Sequence, residues 1–213
     1  MTEWFATLDS TMLEARRNPR LGRVIVTDEQ TAGMGRMGRA WHSPAGEGLY
    51  VSIVMRPSPL LTLALGLAVR AVIGELADLR WPNDVLLRER KVAGILAQTE
   101  GEVVIAGVGI NVSQSKFPED LDTPATSLAL EGIHATREQL LPGLVEAVER
   151  CASLPAEEIR RRFEQASSYA VGRRVRAGDR EGVTCGLDSQ GFLRLREDSG
   201  SETMILAGGV RPV

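Results

Sequence analysis

The sequence has 213 residues, a formal net charge of −3 and 43% hydrophobic residues, which fits one domain of moderate size with a small appendage. The slight acidic excess argues against a DNA-binding role, because nonspecific binding of nucleic acid needs a basic face. The two cysteines and two histidines lack the spacing of metal ligands, so we expect no metal cluster formed directly by protein side chains.

Neither a signal peptide nor a membrane span is predicted. Glu3, Asp9 and Glu14 interrupt the N-terminal segment, where a signal peptide needs an apolar run. The apolar stretch 60–79 contains Arg70 and other charges, and its uncharged part is too short to cross a bilayer. We therefore expect a cytoplasmic protein that does not contact membranes.

The first half of the chain predicts strands and helices that alternate. Asp9-Ser10-Thr11 is typical of a helix cap, and β-branched apolar runs bounded by glycine or proline predict buried strands. These features favour an α+β fold with a mixed, largely antiparallel sheet and helices packed against it. The predicted elements are a helix over 12–17, strands over 23–27 and 49–55, a long core helix over 60–79, a hairpin of 85–87 with 91–98, and a strand over 103–112.

Two further helices and a change of pattern follow. Thr136 and Gln139 form a capping box for a helix to about residue 153, and Pro155 opens a helix to about residue 168. Beyond Gly172, short alternating runs separated by turns predict a small β-barrel. We therefore expect a catalytic domain over 1–169 and a barrel domain over 170–213.

Gly33-Met34-Gly35-Arg36-Met37-Gly38-Arg39 contains the spacing of a dinucleotide-binding loop. That loop must open a helix, whereas here Ala40-Trp41-His42-Ser43-Pro44 follows, which is a poor helix. The glycines and two guanidiniums instead suit a flexible loop that closes over a phosphate or carboxylate. An ordinary surface loop is the alternative.

Two short segments downstream add opposite charges. Asp84 ends Arg80-Trp81-Pro82-Asn83-Asp84, and Lys91 opens an apolar strand seven residues later. Each has a simple alternative, since Asp84 fits a turn and Lys91 fits a strand edge. If they converge with the arginine loop, the cations would stabilise an adenylated carboxylate and the departing pyrophosphate. Asp84 could then orient an incoming amine or accept its proton.

These segments, followed by Gly107-Val108-Gly109-Ile110-Asn111, resemble the biotin protein ligases in order and content. That family carries Gly-Arg-Gly-Arg-x-Gly-Arg, Lys-Trp-Pro-Asn-Asp, Lys-x-Ala-Gly-Ile-Leu and Gly-x-Gly-Ile-Asn. The resemblance runs from about Phe5 to the C-terminus. It implies an SH3-like C-terminal barrel, formation of biotinyl-5′-AMP from biotin and ATP with Mg²⁺, and transfer of biotin to a lysine of the biotin carboxyl carrier protein of acetyl-CoA carboxylase.

The resemblance also implies roles for individual residues. Arg36, Asp84 and Lys91 would be catalytic, with Asp84 meeting the acceptor lysine. The ATP side would contain Arg36, Arg39, Trp41, Asn83 and Asn111. The biotin side would contain Ser10, Thr11, Met12, Gln30, Gly33, Met34, Gly35, Arg36 and Lys91.

Three positions depart from the family pattern. Met34 replaces an arginine of the loop, Met12 replaces the usual asparagine, and Arg80 replaces a lysine. The motifs begin near residue 10, so we expect a ligase without the DNA-binding domain of repressor-type members. Exposed sheet edges often pair in this family, which suggests a homodimer. Lipoate–protein ligase and a degenerate biotin-binding module are the alternative functions.

Overall fold

The computed structural model of the chain describes residues 2–213. Most of these residues form a large sheet with helices, and the C-terminal part forms a second sheet. The large sheet has seven strands: β1 (Thr2–Leu8), β2 (Val24–Gln30), β3 (Gly48–Met55), β4 (Asp78–Arg80), β5 (Asp84–Leu87), β6 (Arg90–Glu100) and β7 (Val103–Asn111).

The strand order in the large sheet is β1-β2-β3-β7-β6-β5-β4. Within residues 2–213, β1 and β2 pair in parallel and the remaining neighbours pair antiparallel. The α+β fold with a mixed, largely antiparallel sheet is therefore confirmed. The predicted hairpin is also present, because β5 and β6 are joined by Arg88 and Glu89 at φ 47° and 64°, as a tight two-residue turn requires.

The helices lie on opposite faces of this sheet. Four are described: α1 (Thr11–Arg17), α2 (Leu61–Ile73), α3 (Arg137–Ala152) and α4 (Ala156–Gln165). The main core lies between α2, α3, α4 and one face, to which Val24 and Val26 point. Ile25 points to the other face and packs in a smaller cluster with α1. This second face carries the candidate site.

The prediction of one helix over 60–79 is wrong in its length. The helix α2 ends at Ile73 because Gly74 takes φ 118°, a conformation that ends a helix, and the chain then enters β4. The strand β1 was also not predicted. Its side chains are mostly exposed or half-buried, so it lacks the hydrophobic pattern of a core strand.

The C-terminal sheet is antiparallel. It has five strands in the order β11-β10-β9-β8-β12, so β11 and β12 form its two edges. The sheet is open in this pairing, and the predicted closed SH3-like barrel is not confirmed. The strands are β8 (Val171–Ala177), β9 (Arg180–Leu187), β10 (Leu193–Arg196), β11 (Glu202–Ile205) and β12 (Arg211–Pro212).

The start of α3 was predicted from a local sequence signal. The capping box of Thr136 and Gln139 at the start of α3 is confirmed. Across residues 2–213, none of the helices combines the length and the apolar character that crossing a bilayer requires.

Candidate active site

A cavity of about 50 Å³ lies on the second face of the large sheet, between α1 and the glycine loop (residues 33–41). It is much smaller than the ~150 Å³ cavity that holds a benzene-sized molecule. A larger ligand therefore requires the loop to move. The lining residues come from seven separate segments: Ser10, Thr11, Met12, Gln30, Met34, Gly35, Arg36, Trp41, Tyr50, Val51, Asn83, Lys91, Gly94, Ile95, Leu96, Gly107, Val108 and Gly109.

Three glycines on adjacent strands form the floor of the cavity. Gly94 of β6 pairs with Gly109 of β7, and Trp41 lies across both. A Cβ atom at Gly109 would be 2.4 Å from the indole Nε1 of Trp41. At Gly107 it would be 2.6 Å from the sulfur of Met12. Glycine is therefore required here, because any side chain would fill the space between the sheet and these residues.

The end of the cavity near α1 is a polar cluster built around Gln30. The side-chain oxygen of Gln30 accepts hydrogen bonds from the backbone nitrogen and hydroxyl of Thr11, at 2.9 and 3.2 Å. Its amide nitrogen donates to Ser43 at 2.8 Å. Ser10 caps α1 by accepting from the Met12 amide. These groups offer both donors and acceptors to the polar end of a ligand.

The opposite end carries the charges predicted from the sequence. The ammonium nitrogen of Lys91 is 2.5 Å from Oδ1 of Asp84, and the guanidinium of Arg80 is 2.7 Å from Oδ2. Burial of Asp84 opposes its ionisation, but the two cations outweigh burial, so the pKa of Asp84 is lowered. Lys91 also lies over the ring of Trp41, 5.3 Å from its centroid.

The glycine loop is a closed hairpin with anchors on both sheets. Met34 and Ala40 form a β-bridge, and the Gly35 amide donates to the carbonyl of Arg39 at 2.7 Å. The guanidinium of Arg36 donates to the side chain of Asn83 at 2.9 Å and to the carbonyl of Gly208 at 3.0 Å. The loop therefore joins the cavity to the C-terminal sheet.

Ten of the residues predicted for biotin or ATP lie at the cavity, but three do not. Gly33 lies behind Gln30 and Trp41, where a Cβ atom would be 2.4 Å from the carbonyl oxygen of Trp41. Arg39 points to the surface and pairs with Asp122 at 2.9 Å. Asn111 is buried, where its amide donates to the carbonyls of Thr126 and Lys91 at 2.9 and 3.4 Å. The predicted roles of these three residues stay predictions.

The sequence predictions did not include several residues that line the cavity. Gly107 and Gly109, where the sequence predicts that the backbone can approach a ligand closely, were given no site role, and neither was Gly94. Tyr50 and Leu96 gave no signal, since they are typical core residues at their positions.

The cavity is suited to an elongated ligand. One end presents neutral hydrogen-bonding groups, the floor is flat and apolar, and the other end presents Lys91 and Arg36. A neutral polar head, an apolar chain and an anionic tail would match these three regions in turn. Since cations at the tail can stabilise charge that develops there, this end is where chemistry is expected.

Comparison with known proteins identifies the family to which the chain belongs. Residues 4–115 match the model of the biotin/lipoate A/B protein ligase family. The chain belongs to this family. The match to the biotin/lipoate A/B protein ligases contains the complete lining of the cavity and ends before the C-terminal sheet begins.

Three relatives from this family illustrate the similarity. The bifunctional ligase/repressor BirA of Bacillus spizizenii is 42% identical over 132 residues, which cover 54% of this chain and 41% of that protein. The biotin–[acetyl-CoA-carboxylase] ligase of Mycobacterium tuberculosis is 34% identical, with 88% of this chain and 77% of that protein covered. A structure of the Aquifex aeolicus biotin protein ligase with biotin and ATP has a TM-score of 0.85 at 30% identity, covering 99% and 97% of the two chains.

Proposed function

We propose that the protein is an ATP-dependent biotin–protein ligase. It forms biotinyl-5′-AMP from biotin and ATP and transfers biotin to a lysine of the biotin carboxyl carrier protein of acetyl-CoA carboxylase. The observation that carries the proposal is one cavity with a neutral polar end at Gln30 and a cationic end at Lys91. The structural similarity to a ligase described with biotin and ATP supports it.

In the first step, a carboxylate oxygen of biotin attacks the α-phosphorus of ATP, and pyrophosphate leaves with the electron pair of the broken P–O bond. Lys91 and Arg36 both line the cavity, and in this proposal they hold the carboxylate and the phosphate together. Two fixed cations in a partly closed site lower the barrier because both reactants and the leaving group are anionic. Arg39, Trp41, Asn83 and Asn111 are the further residues proposed for the ATP side.

In the second step, the acceptor lysine nitrogen attacks the acyl carbon, and AMP leaves with the electron pair of the C–O bond. Asp84 would orient the incoming amine and accept its proton. We propose that Mg²⁺ enters with the triphosphate, because among residues 2–213 no group of three or more His, Cys, Asp or Glu side chains could hold it. Magnesium is commonly bound through substrate phosphates and water.

Lipoate–protein ligation is the second candidate, because the matched family includes lipoate ligases. The multi-donor cluster at Thr11 and Gln30 favours biotin, whose polar ureido head needs hydrogen-bonding partners that the apolar dithiolane of lipoate does not. A third candidate is a module that binds biotin without ATP chemistry, which is suggested by Met34 in place of the family's loop arginine. The retained cations Arg36 and Lys91 argue against it.

The test is ATP–pyrophosphate exchange on the purified protein, with biotin or lipoate as the acid. Exchange that depends on biotin alone is expected. Exchange with lipoate alone would assign the lipoate activity. A folded protein that exchanges with neither acid would favour the binding module and make Met34→Arg the first variant to examine.

A second assay tests the acceptor. Purified biotin carboxyl carrier domain is incubated with the protein, biotin and ATP, and its mass is measured. We expect addition of one biotin, and none when the acceptor lysine is changed to arginine. Exchange without transfer would retain the adenylation step and reject the proposed acceptor.

A further inference from the structure

The chain is poor in primary amines. Lysine and arginine together number 25, and only Lys91 and Lys116 are lysines. This matters because an acyl adenylate, the intermediate of the proposed function, reacts with neutral amines. Guanidinium groups stay charged and do not react in this way. The other cations in this region are arginines, with Arg36 lining the cavity and Arg80 paired with Asp84.

Among residues 2–213, Lys91 is thus the one amine that lines the cavity. Its position beside the proposed acyl carbon is useful for binding the carboxylate but places a nucleophile within reach of the intermediate. The nitrogen of a lysine side chain attacks an acyl carbon when it carries a free lone pair. Something must therefore prevent Lys91 from taking the acyl group itself.

The contact that opposes this reaction is the ion pair of Lys91 with Asp84. The nitrogen is 2.5 Å from Oδ1, with side-chain exposures of 23% and 17% for the two residues. An ammonium in this pair has no lone pair to donate. Trp41 covers the same nitrogen from the loop side, so the ammonium is held between a carboxylate and an aromatic face.

Arg80 fixes the orientation of Asp84. Its guanidinium donates to Oδ2 of Asp84 and to the hydroxyl of Thr123, both at 2.7 Å. The Arg80 side chain is only 6% exposed and lies 5.8 Å from the ring centroid of Tyr169. With Oδ2 occupied by Arg80, the carboxylate keeps Oδ1 towards Lys91 and cannot turn away.

We propose that Asp84, oriented by Arg80, protects Lys91 from acylation by the acyl adenylate. The inference rests on the proposed function and adds a second role for Asp84 to that of meeting the acceptor lysine. The same carboxylate would distinguish between two amines, holding Lys91 charged while it receives a proton from the incoming one.

Acylation of Lys91 by the adenylate would be a nucleophilic substitution at the acyl carbon. A neutral Lys91 nitrogen would attack the acyl carbon of the adenylate, and a C–N bond would form. The C–O bond to phosphate would break, AMP would leave with its electron pair, and one proton would pass to water. The product would be a stable amide on Lys91, and the enzyme would be inactivated.

The test is the mass of the protein after incubation with biotin and ATP without acceptor, followed by peptide mapping. Lys116 lies on the surface and serves as the reference amine. We expect the ratio of biotin adduct on Lys91 to biotin adduct on Lys116 to rise at least about tenfold in Asp84→Asn. Loss of an adjacent opposite charge changes a proton-binding equilibrium by about tenfold or more. Asp122→Asn is the matched control, because Asp122 pairs with Arg39 and Arg211 and does not contact Lys91.

Chemically prepared biotinyl-5′-AMP is supplied in parallel, so that a variant slow in adenylation is still tested. If folded Asp84→Asn exposed to this adenylate gives the wild-type ratio, the proposal is overturned. If Asp84→Asn does not fold by circular dichroism, Arg80→Gln decides, with a smaller rise expected and the wild-type ratio again contradicting the idea. Failure of the proposed function is seen separately, as wild-type protein that neither exchanges pyrophosphate nor binds the supplied adenylate.

Discussion

The glycine loop (residues 33–41) and the hairpin segment (residues 80–94) both bring positive charge towards one cavity, but they hold it differently. In the hairpin segment, Arg80 and Asp84 are nearly buried, with side-chain exposures of 6% and 17%. In the loop, Arg39 and its partner Asp122 are 61% and 48% exposed. The charges of the hairpin segment are fixed in the protein interior, whereas in the loop Arg36 lines the cavity and Arg39 lies on the surface.

The difference indicates that the two segments have different functions. Charges that must be in place before the reaction lie on strands, where the backbone ladder and buried partners fix them. Charges that must close over a ligand lie on a loop held by a few bonds, since entry of a ligand larger than the cavity of about 50 Å³ requires movement. Substitutions should therefore affect chemistry in the hairpin segment and ligand binding in the loop.

The largest effect is expected in the hairpin segment. Lys91→Ala should reduce adenylate formation at least about 10²-fold, the scale of losing one electrostatic stabiliser. The measurement is biotin-dependent pyrophosphate exchange, with Lys116→Ala as the control for loss of a lysine. Near-normal turnover of a folded Lys91→Ala protein would contradict the assignment of charge stabilisation to this segment.

The next largest effect is expected where Trp41 of the loop packs against the glycines of the sheet. Gly109→Ala places a Cβ atom 2.4 Å from the Trp41 indole. Because β7 is a central strand, Trp41 must move, at a cost of about 1–3 kcal/mol. We expect a raised KM for biotin and changed tryptophan fluorescence.

Gly143→Ala is the matched control for that substitution. No atom lies within 4 Å of its added Cβ, and the position is inside α3, so stability should rise by ~0.5–1 kcal/mol. An unchanged KM for biotin and unchanged fluorescence in Gly109→Ala would mean that ligand binding does not depend on the packing of Trp41 against the glycines.

A third prediction concerns Tyr169, which contacts Arg80 and Glu89 of the hairpin segment, at high pH. Burial, and then the hydrogen bond to Glu89, raise the pKa of Tyr169 to about 12 from its ordinary 10.0. A group whose pKa is raised on folding contributes stability below its unfolded pKa and loses it as pH rises through the folded one. The free energy of unfolding should therefore fall by roughly 2 kcal/mol between pH 10 and pH 12.

Denaturant titrations across this range measure the fall. Tyr169→Phe retains the ring under Arg80 but cannot ionise, so its alkaline fall should be smaller by the same amount. Equal slopes in the two proteins would show that Tyr169 does not carry the dependence.

The smallest effect on stability is expected in the loop. Exposed ion pairs contribute at most about 1 kcal/mol, so Arg39→Ala and Asp122→Ala should both melt close to the wild type. If Arg39 contacts ATP phosphates in the closed loop, only Arg39→Ala should raise the KM for ATP. An equal change in both variants would instead assign the effect to the Arg39–Asp122 pair.

The parts of the fold that could be predicted are those set by local pattern. The β5–β6 hairpin follows from its apolar runs and short turn, and the capping box of Thr136 marks the start of α3. Where local pattern is weak, one strand was missed and the closed barrel is not confirmed. The strand β1 has little buried surface and depends on pairing with β2, and closure of the C-terminal sheet depends on contacts between strands far apart in sequence.

The candidate site shows the same limit. The segments that meet at the cavity could be predicted from their residue types, because Lys91, Asp84 and Arg36 are typical of charge stabilisation. The partners that orient them could not be predicted, since Thr123 beside Arg80 and Gly208 beside Arg36 come from distant loops. Such contacts are decided by tertiary packing, on which propensity and spacing carry no information.

The hydrogen bond from Arg36 to the Gly208 carbonyl spans 172 residues of the chain. During synthesis the N-terminal part leaves the ribosome first, at about 5–20 residues per second. The glycine loop is thus complete roughly ten or more seconds before this anchor has been added. A nascent chain that lacks Gly208 cannot form this bond, so the loop acquires this anchor only after the loop itself has been made.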